Sequence, residues 1–211
     1  MGYIDIHSHL LFGVDHGVQT RQEYLELLDK YAECGFECLV LTPHLFHPTV
    51  HTRVENIRKN FLQASEDASR VGIRVLLGSE LYLDSQIEVK TIPFNGRFAL
   101  VEFPVDRRPF GLGRKLSQIT EQNLEPVIAH IERYRWLTPD SKDIDMFKEN
   151  GAWIQVNVSG IENRSALKYI DRDLVDIIAD DNHGNPTLPG RLKKALDAYP
   201  EIRYRMESMQ L

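Results

Sequence analysis

Cysteine and long apolar runs are scarce in this sequence, and each shortage excludes a class of protein. Cys34 and Cys38 are the only cysteines in 211 residues, and they do not form a Cys-x-x-Cys pair. Two thiols are too few for a disulfide framework, so we expect free, buried thiols in a reducing cytoplasm. No apolar run approaches the roughly 20 residues that cross a bilayer, and the first strand leaves no room for a signal peptide. We therefore expect a cytoplasmic protein with no membrane insertion.

The chain also lacks an excess of positive charge. The 25 lysines and arginines face 31 aspartates and glutamates, a formal net charge of −6. The cations form no basic block and no stripe interleaved with aromatic residues, so a nucleic-acid partner is not expected. Internal repeats, low-complexity stretches and flexible linkers are absent too, which predicts one domain over residues 1–211.

The sequence does contain apolar runs of strand length that alternate with segments of helical periodicity. Near-continuous apolar strands separated by helices indicate a parallel sheet covered by helices. Seven candidate strands cover Tyr3–Leu10, Cys38–Thr42, Val75–Tyr82, Phe98–Phe103, Pro126–His130, Trp153–Val158 and Val175–Ala179. Five candidate helices cover Arg21–Glu33, Arg53–Val71, Gly113–Asn123, Asp143–Glu149 and Arg191–Tyr199.

This alternation is compatible with an open doubly wound sheet or with a closed or distorted barrel. No Gly-x-Gly-x-x-Gly follows the first strand, and polar side chains collect at the carboxyl ends of most strands. Both observations favour the barrel, because barrels of this type carry their sites at the carboxyl ends of the strands.

The end of the first strand carries His7-Ser8-His9, and the end of the last carries Asp181-Asn182-His183. Alternate residues of a strand share a face, so His7 and His9 can bind the same metal ion. Imidazole combined with carboxylate suits Zn²⁺, Mn²⁺ or Fe²⁺ better than Ca²⁺. The His-x-His pattern alone is a weak signal that chance produces readily.

Six of the seven candidate strands end in a possible metal ligand, which strengthens the signal. A buried His or Glu beside a strand is more often a satisfied core group than a ligand. So many such groups at one barrel mouth would repel one another or stay unsatisfied without cations. The candidates are His7, His9, His44, Glu80, Glu102, His130, Asp181 and His183. The sixth strand offers Gln155, Asn157 and Ser159, which are better suited to hydrogen bonding.

Seven segments of the chain resemble the PHP (polymerase and histidinol phosphatase) superfamily. They are Ile4–Leu10, Gly13–Gly17, Thr42–His44, Gly78–Tyr82, Leu100–Phe103, Ala129–Tyr134 and Ala179–His183. The branch that they resemble most is the bacterial metal-dependent protein tyrosine phosphatases that accompany capsule and exopolysaccharide tyrosine kinases. The resemblance implies a distorted seven-stranded (β/α) TIM-like barrel with a cluster of three divalent metal ions, Mn, Fe or Zn.

The resemblance also implies roles for individual residues. One metal would be held by His7, His9, Glu80 and Asp181, and its neighbour by His130 with Glu80 or Glu102 as the bridging carboxylate. The third metal would be held by His16, His44 and His183. Arg133 would bind the substrate phosphate through a bidentate fork. The alternative for Arg133 is an ordinary ion pair with an acid such as Glu132 or Asp140.

The chain departs from the branch at several positions. His16 stands where the branch usually has Asp, and imidazole still ligates a metal. Asp180 replaces a usual Ser and could accept a hydrogen bond from a ligating His. Leu188 replaces an Arg, for which Arg191 is a possible substitute or else a solvated helix residue. This last departure bears on the preference for phosphotyrosine more than on phosphatase chemistry.

The resemblance implies a phosphomonoesterase in which a metal-bridging hydroxide attacks phosphotyrosine, with the Tyr-rich tail of a bacterial tyrosine kinase as a possible protein partner. A cysteine-based phosphatase is excluded, because Val40 and His44 stand where an Arg would follow Cys34 or Cys38. A small-molecule enzyme such as a histidinol-phosphate phosphatase and a noncatalytic metal-containing regulator remain as alternatives. We expect His47 and His51, in the loop after the second strand, to be solvated or at the substrate rim.

Overall fold

A computed structural model describes residues 2–84 and 88–211. Nine strands occur in these residues. They are β1 (Tyr3–Ser8), β2 (Phe36–Leu41), β3 (His44–Leu45), β4 (Arg74–Leu77), β5 (Glu80–Tyr82), β6 (Phe98–Glu102), β7 (Glu125–Ile128), β8 (Trp153–Asn157) and β9 (Ile177–Ala179). The helices are α1 (Arg21–Glu33), α2 (Val54–Arg70), α3 (Leu112–Thr120), α4 (Lys142–Glu149), α5 (Val158–Glu162), α6 (Leu167–Ile170), α7 (Leu188–Ala198) and α8 (Pro200–Glu207), with a 3₁₀ turn at Ile131–Arg133.

The named strands pair in parallel, in two sheets. One sheet has the order β1-β2-β4 and the other β3-β5-β6-β7-β8-β9. Two runs of strand are broken in the structure: Gly78-Ser79 splits the predicted strand Val75–Tyr82 into β4 and β5, and β3 continues the predicted strand Cys38–Thr42 beyond a break at Thr42-Pro43. The first half of each run pairs in the small sheet and the second half in the large one. The seven runs therefore follow one another in chain order across both sheets.

Backbone hydrogen bonds also join the last run to the first. Asp181 N donates to His7 O at 3.0 Å, and His9 N donates to Asn182 O at 2.9 Å. Thr42 N donates to Ser8 O at 2.8 Å, which carries the pairing of β1 and β2 past the end of β2. The architecture is a distorted (β/α) barrel, and its distortion lies in the two breaks. The predicted fold class is confirmed.

The predicted helices agree with α1, α2, α3, α4 and α7 to within a few residues at each end. The short helices α5 and α6 and the terminal α8 were not predicted, because four or five residues give too little periodicity and α8 is only weakly amphipathic. Helix α1 begins at a capping box, in which Thr20 and Glu23 satisfy each other's backbone N–H groups. Its buried face packs against β2 and the neighbouring helices α2 and α7.

None of the helices in the described part of the chain is both long enough and apolar enough to cross a membrane.

A buried pair of acids joins the first and last strands beneath the mouth. Asp180 accepts a hydrogen bond from the Tyr31 hydroxyl at 2.5 Å, and Asp5 lies against both groups. Burial raises the pKa of Asp5 to about 6 and raises the pKa of Asp180 well above its usual range. The expectation that Asp180 accepts from a ligating histidine is wrong, because its side chain turns toward α1 and its partner there is a tyrosine.

At Gly17 the loop after β1 packs directly against the end of that strand. A Cβ added to Gly17 would lie 2.1 Å from the His9 carbonyl oxygen and 2.6 Å from His9 Cβ. Neither atom can give way, because Val18 N donates to the same carbonyl at 3.0 Å and the His9 side chain is fully buried.

Gly17→Ala is expected to lower the free energy of unfolding by about 2 kcal/mol through overpacking. Gly190→Ala is the matched control, because its nearest atom would be Cys34 Sγ at 4.0 Å in an ordinary helical conformation. That variant should be neutral or slightly stabilising. Urea unfolding of the two variants beside the parent protein measures both effects, and equal stabilities would contradict the packing account.

Candidate metal centre

The two histidines of β1 point to the same side, as the alternation of strand side chains predicts. Their Nε2 atoms lie 3.4 Å apart, and both face Asp181 Oδ1, at 3.5 Å from His7 and 3.3 Å from His9. The three side chains are buried. Their ligand atoms all lie within 4.8 Å of one another. This first group can hold one metal ion.

Glu80 lies at the centre of a second group. Its Oε1 lies 2.9 Å from His130 Nε2 and 3.3 Å from His7 Nε2, and its Oε2 lies 2.9 Å from His44 Nδ1. Glu102 Oε1 is 3.1 Å from the same His44 nitrogen. The ligand atoms of His44, Glu80 and Glu102 fit within 4.8 Å of one another. Because Glu80 contacts both groups, its carboxylate is placed to bridge them.

A third group contains His9, His44 and His183, whose ligand atoms again lie within 4.8 Å of one another. His16 was predicted beside His44 and His183, and its ring lies 5.0 and 4.5 Å from theirs between centroids. His16 is exposed at the rim, whereas His9 lies beneath it in the closer grouping. The structure thus brings all nine predicted ligands to one mouth, with His16 as the outermost.

Two of the predicted ligands have a strained backbone. His130 has φ 31° and Asp181 has φ 52°, the left-handed region that non-glycine residues seldom occupy. The surrounding hydrogen bonds hold them there, since His130 N donates to Gln155 Oε1 and Asp181 N donates to His7 O.

The carboxylates and imidazoles shift one another's pKa values in opposite directions. Burial alone would lower the pKa of His44, but Glu102 and Glu80 overcome it and raise the pKa to about 9. Burial alone would also lower the pKa of His9, but Asp15, Asp181 and Glu80 raise it well above its usual range. Burial alone would raise the pKa of Glu80, but the neighbouring histidines hold it well below its usual range. Without cations, protons must neutralise these acids.

His183 differs from these histidines. Burial and the nearby positive charge of His9 lower its pKa to about 4, so its ring is neutral. Its Nδ1–H donates to the Asp181 carbonyl at 2.9 Å, and its buried Nε2 has no hydrogen-bond partner. A neutral imidazole with one nitrogen held by a carbonyl and the other left free is the usual form of a metal ligand.

The outer nitrogens of the two β1 histidines are held in the same way. His9 Nδ1 lies 2.7 Å from Asp15 Oδ2, and His7 Nδ1 lies 3.2 Å from Gln155 Oε1. In both rings Nε2 is thereby directed toward the acids of the cluster. The donor set, the free Nε2 of His183 and these orienting bonds all fit divalent metal ions.

Asp15 is the residue at this site that sequence reasoning missed. Besides His9 it accepts hydrogen bonds from His44 N at 3.0 Å and from Gly17 N at 2.9 Å, so it fixes two predicted ligands at once. The acid lies next to His16 between two glycines, and that position was the available signal. The hydrogen-bonding role expected of the sixth strand is confirmed for Gln155, which contacts His7, and for Asn157, which donates to Asp181 at 3.0 Å. Ser159 lies in α5 and is exposed.

Arg133 lies at the edge of the cluster with its side chain 45% exposed. Its Nη2 pairs with Asp181 Oδ2 at 2.7 Å, rather than with Glu132 or Asp140. Arg191 is occupied elsewhere, because its guanidinium pairs with Glu162 through Nε at 2.8 Å and through a second, shorter contact. The structure therefore places Arg191 in an ion pair on α7 and places Arg133 at the mouth.

Of the two further histidines, His47 lies at the rim and His51 is exposed. The His47 Nε2 atom is 3.8 Å from Glu102 Oε1, and its ring meets Tyr82 edge to face. Burial lowers the pKa of His47.

The family model for capsular polysaccharide synthesis, CpsB/CapC, matches residues 3–210. The chain belongs to this family. It is 33% identical to the tyrosine-protein phosphatase CpsB of Streptococcus pneumoniae over 92% of this chain and 88% of that protein. It is 24% identical to the tyrosine-protein phosphatase YwqE of Bacillus subtilis over 92% of this chain and 82% of that one.

Solved structures share the fold. The chain matches a structure described with YwqE of Bacillus subtilis and CpsB of Streptococcus pneumoniae as metal-dependent tyrosine phosphatases, with a TM-score of 0.82 and 22% identity, covering 96% of this chain and 90% of that one. A histidinol phosphate phosphatase from Lactococcus lactis matches with a TM-score of 0.59 and 10% identity, covering 92% of each chain. At these identities the likeness shows the fold alone.

Asp15→Asn is expected to weaken metal binding by about 10- to 100-fold, because the amide holds the His9 and His44 groups less firmly than the carboxylate. Competition with a chromogenic chelator measures the affinity. Asp106→Asn, which removes only an exposed pair with Arg135, is the control and should leave the affinity unchanged. Equal affinities in both variants would show that Asp15 does not support metal binding.

Metal loading is expected to release protons. The metal-free fold raises the pKa of His44 from 6.5 to about 9, so its imidazolium stabilises that fold fully below pH 6.5 and loses this effect as the pH rises through about 9. Metals bind the neutral ring, so affinity should fall as the pH falls below about 9. Calorimetric titration near pH 7, in two buffers of different ionisation heat, should show at least one proton released. Identical heats in both buffers would contradict this.

Proposed function

We propose that this protein is a metal-dependent protein tyrosine phosphatase of the cytoplasm. Its substrate would be a phosphotyrosine-containing protein such as the Tyr-rich tail of a capsule or exopolysaccharide tyrosine kinase. The observation that carries the proposal is the set of nine His, Asp and Glu side chains gathered at one mouth beside Arg133. The tyrosine-protein phosphatase CpsB, which is 33% identical, supplies the substrate class.

In this proposal the mouth binds three divalent ions, Mn, Fe or Zn. The first would take the pair of β1 histidines with Asp181 and Glu80, and the second His130 and Glu102 with Glu80 as the bridge. The third would take His44, His183 and the exposed His16, with His9 close enough to contribute. The proposed metal ligands are His7, His9, His16, His44, Glu80, Glu102, His130, Asp181 and His183.

Bound divalent metals supply Lewis acidity toward a phosphate oxygen and lower the pKa of water toward 7. The protein's own residues do the rest. Glu80, Glu102 and Asp181 offset only part of the charge of three divalent ions, so the mouth stays positive and attracts a phosphate dianion. Asp15, Gln155 and the Asp181 carbonyl fix the imidazole rings, which keeps their lone pairs directed inward.

Arg133 would bind the phosphate. Its Nη2 is held by Asp181 at 2.7 Å, while nearly half of its side chain is open to solvent at the mouth. The remaining N–H groups of the guanidinium can meet two phosphate oxygens in parallel, a geometry that a lysine ammonium cannot reproduce. The ion pair with Asp181 orients the fork before the substrate arrives.

A thiol nucleophile has no support in the geometry. Cys38 is buried in β2, and burial raises the pKa of its thiol, which disfavours the thiolate. Small-molecule phosphatase activity remains the second candidate, because the fold is shared with the histidinol phosphate phosphatase. A noncatalytic metal-containing regulator is the third.

The experiment that tests the proposal combines metal analysis with comparative turnover. Purified protein loaded with Mn²⁺, Fe²⁺ or Zn²⁺ is given a phosphotyrosyl peptide, histidinol phosphate and a phosphoseryl peptide. We expect the phosphotyrosyl peptide to have the highest kcat/KM. A preference for histidinol phosphate would overturn the substrate assignment, and bound metal without any turnover would favour the regulator.

Arg133→Lys is expected to lower kcat/KM for the phosphotyrosyl peptide by about 10- to 100-fold, because the charge stays but the bidentate fork is lost. Metal content measured on the same sample should stay at the parent level. Arg135→Lys is the matched control two residues away, since Arg135 is 79% exposed and, among the described residues, its guanidinium pairs with exposed Asp106 alone. Loss of metal in Arg133→Lys, or unchanged kcat/KM, would count against a phosphate-binding role.

A further inference from the structure

An apolar groove runs along α2 beside the metal centre, and the proposed chemistry does not use it. It encloses about 700 Å³, which is within the range of pockets that bind ligands. We call it the α2 groove. The described residues that form its apolar wall include Leu45, Phe46, Val54, Ile57, Leu62 and Ile92.

The α2 groove is unusually exposed for an apolar surface. Phe46 is 52% exposed, and Val54 and Leu62 are each 60% exposed. Large exposed apolar side chains that share one concave surface indicate a binding site, whereas scattered ones do not. Phe46 also has φ 59°, a conformation that is strained for a bulky aromatic residue. The fold therefore holds this ring at the edge of the groove at an energetic cost.

The groove borders the metal centre where the chain leaves β3. His44 and Leu45 are successive residues of this strand, so their side chains point to opposite faces. His44 enters the cluster with Glu80 and Glu102, whereas Leu45 and the following Phe46 line the groove. β3 thus lies between the cluster and Leu45, and the groove meets the mouth at Phe46, since the next residue, His47, has its Nε2 3.8 Å from Glu102 Oε1. A substrate segment bound at the cluster can reach the groove over this edge.

The groove also carries positive charge. Arg58 and Lys90 lie among its lining residues, and both are exposed. Lys90 pairs with exposed Glu88 at 2.9 Å, a solvent-screened pair that holds it weakly. The Arg58 guanidinium has no hydrogen bond or ion pair with any described residue. Two cations beside an apolar wall complement a segment that combines an apolar side chain with an acidic one.

We propose that the α2 groove is a specificity site that binds an apolar side chain, with an adjacent acidic residue, next to the phosphotyrosine of the substrate protein. The assignment rests on the proposed phosphatase function and adds a preference for sequence around the phosphotyrosine. A linear segment fits better than a second copy of this chain. The groove presents three prominently exposed apolar residues, whereas a stable dimer buries about 800 Å² on each partner.

The test compares two phosphotyrosyl peptides, one with leucine and glutamate on both sides of the phosphotyrosine and one with glycine and serine there. The parent protein is expected to favour the first by about tenfold in kcat/KM, mainly through KM. Leu62→Asp should abolish the preference, because it places a carboxylate in the apolar wall. Val71→Asp, the same kind of change at the residue that follows α2 and outside the groove, should keep it.

Arg58→Glu supplies a second variant that keeps the apolar wall intact. It should lower kcat/KM for the leucine–glutamate peptide and should not affect a leucine–glutamine version. Hydrolysis of p-nitrophenyl phosphate, which is too small to reach the groove, should stay within about twofold of the parent in all variants and reports an intact centre. Equal use of both peptides by the parent, or equal loss of both in Leu62→Asp, would overturn the proposal.

A binding experiment distinguishes an error in the groove proposal from an error in the phosphatase assignment. Fluorescence anisotropy with the same peptides, carrying a phosphonate in place of the phosphate, measures binding without turnover. Binding that prefers leucine and glutamate and is lost in Leu62→Asp would support the groove even if no peptide were hydrolysed. Sedimentation showing a dimer that Leu62→Asp dissociates, with no peptide preference, would assign the surface to a second copy and reject the proposal.

Discussion

The structure depends most on the electrostatic balance among the side chains at one end of the barrel. Glu80 contacts His7, His44 and His130 within 3.3 Å, and all of these side chains are nearly excluded from water. Carboxylates and imidazoles this close require either protons or metal ions between them. Glu102 and Glu80 raise the pKa of His44 to about 9 against the effect of burial, which favours a proton in that role. Metal ions would replace such protons.

The barrel supplies this crowding through its topology. Parallel strands bring their carboxyl ends to one side, and the breaks at Thr42-Pro43 and Gly78-Ser79 let two runs change sheet just before a ligand. His44 and Glu80 therefore stand opposite each other in the β3–β5 register. The strained backbones of His130 and Asp181 show that the fold accepts local cost in order to direct these side chains.

Much of this arrangement could be predicted from the sequence, because strand alternation and strand ends are local properties. They placed His7 and His9 on one face and gathered Glu80, Glu102, His130 and Asp181 at one mouth. The two breaks could not be predicted, since an apolar run does not reveal which sheet each half will join. The roles of Asp15 and Asp180 depended on which neighbour lies within hydrogen-bonding distance after folding, and periodicity carries no such information.

Family membership and the geometry of the site each support a metal-dependent tyrosine phosphatase, on independent grounds. The relatives supply the substrate class, while the hydrogen-bonded outer nitrogens of His7, His9 and His183 supply the reason to expect metal. The most direct test is anomalous diffraction at the Mn, Fe and Zn edges from crystals of the protein grown with these metals. The account predicts anomalous peaks among Glu80, Asp181 and His44, within ligand distance of their side chains. Crystals with an ordered mouth and no peak there would contradict it.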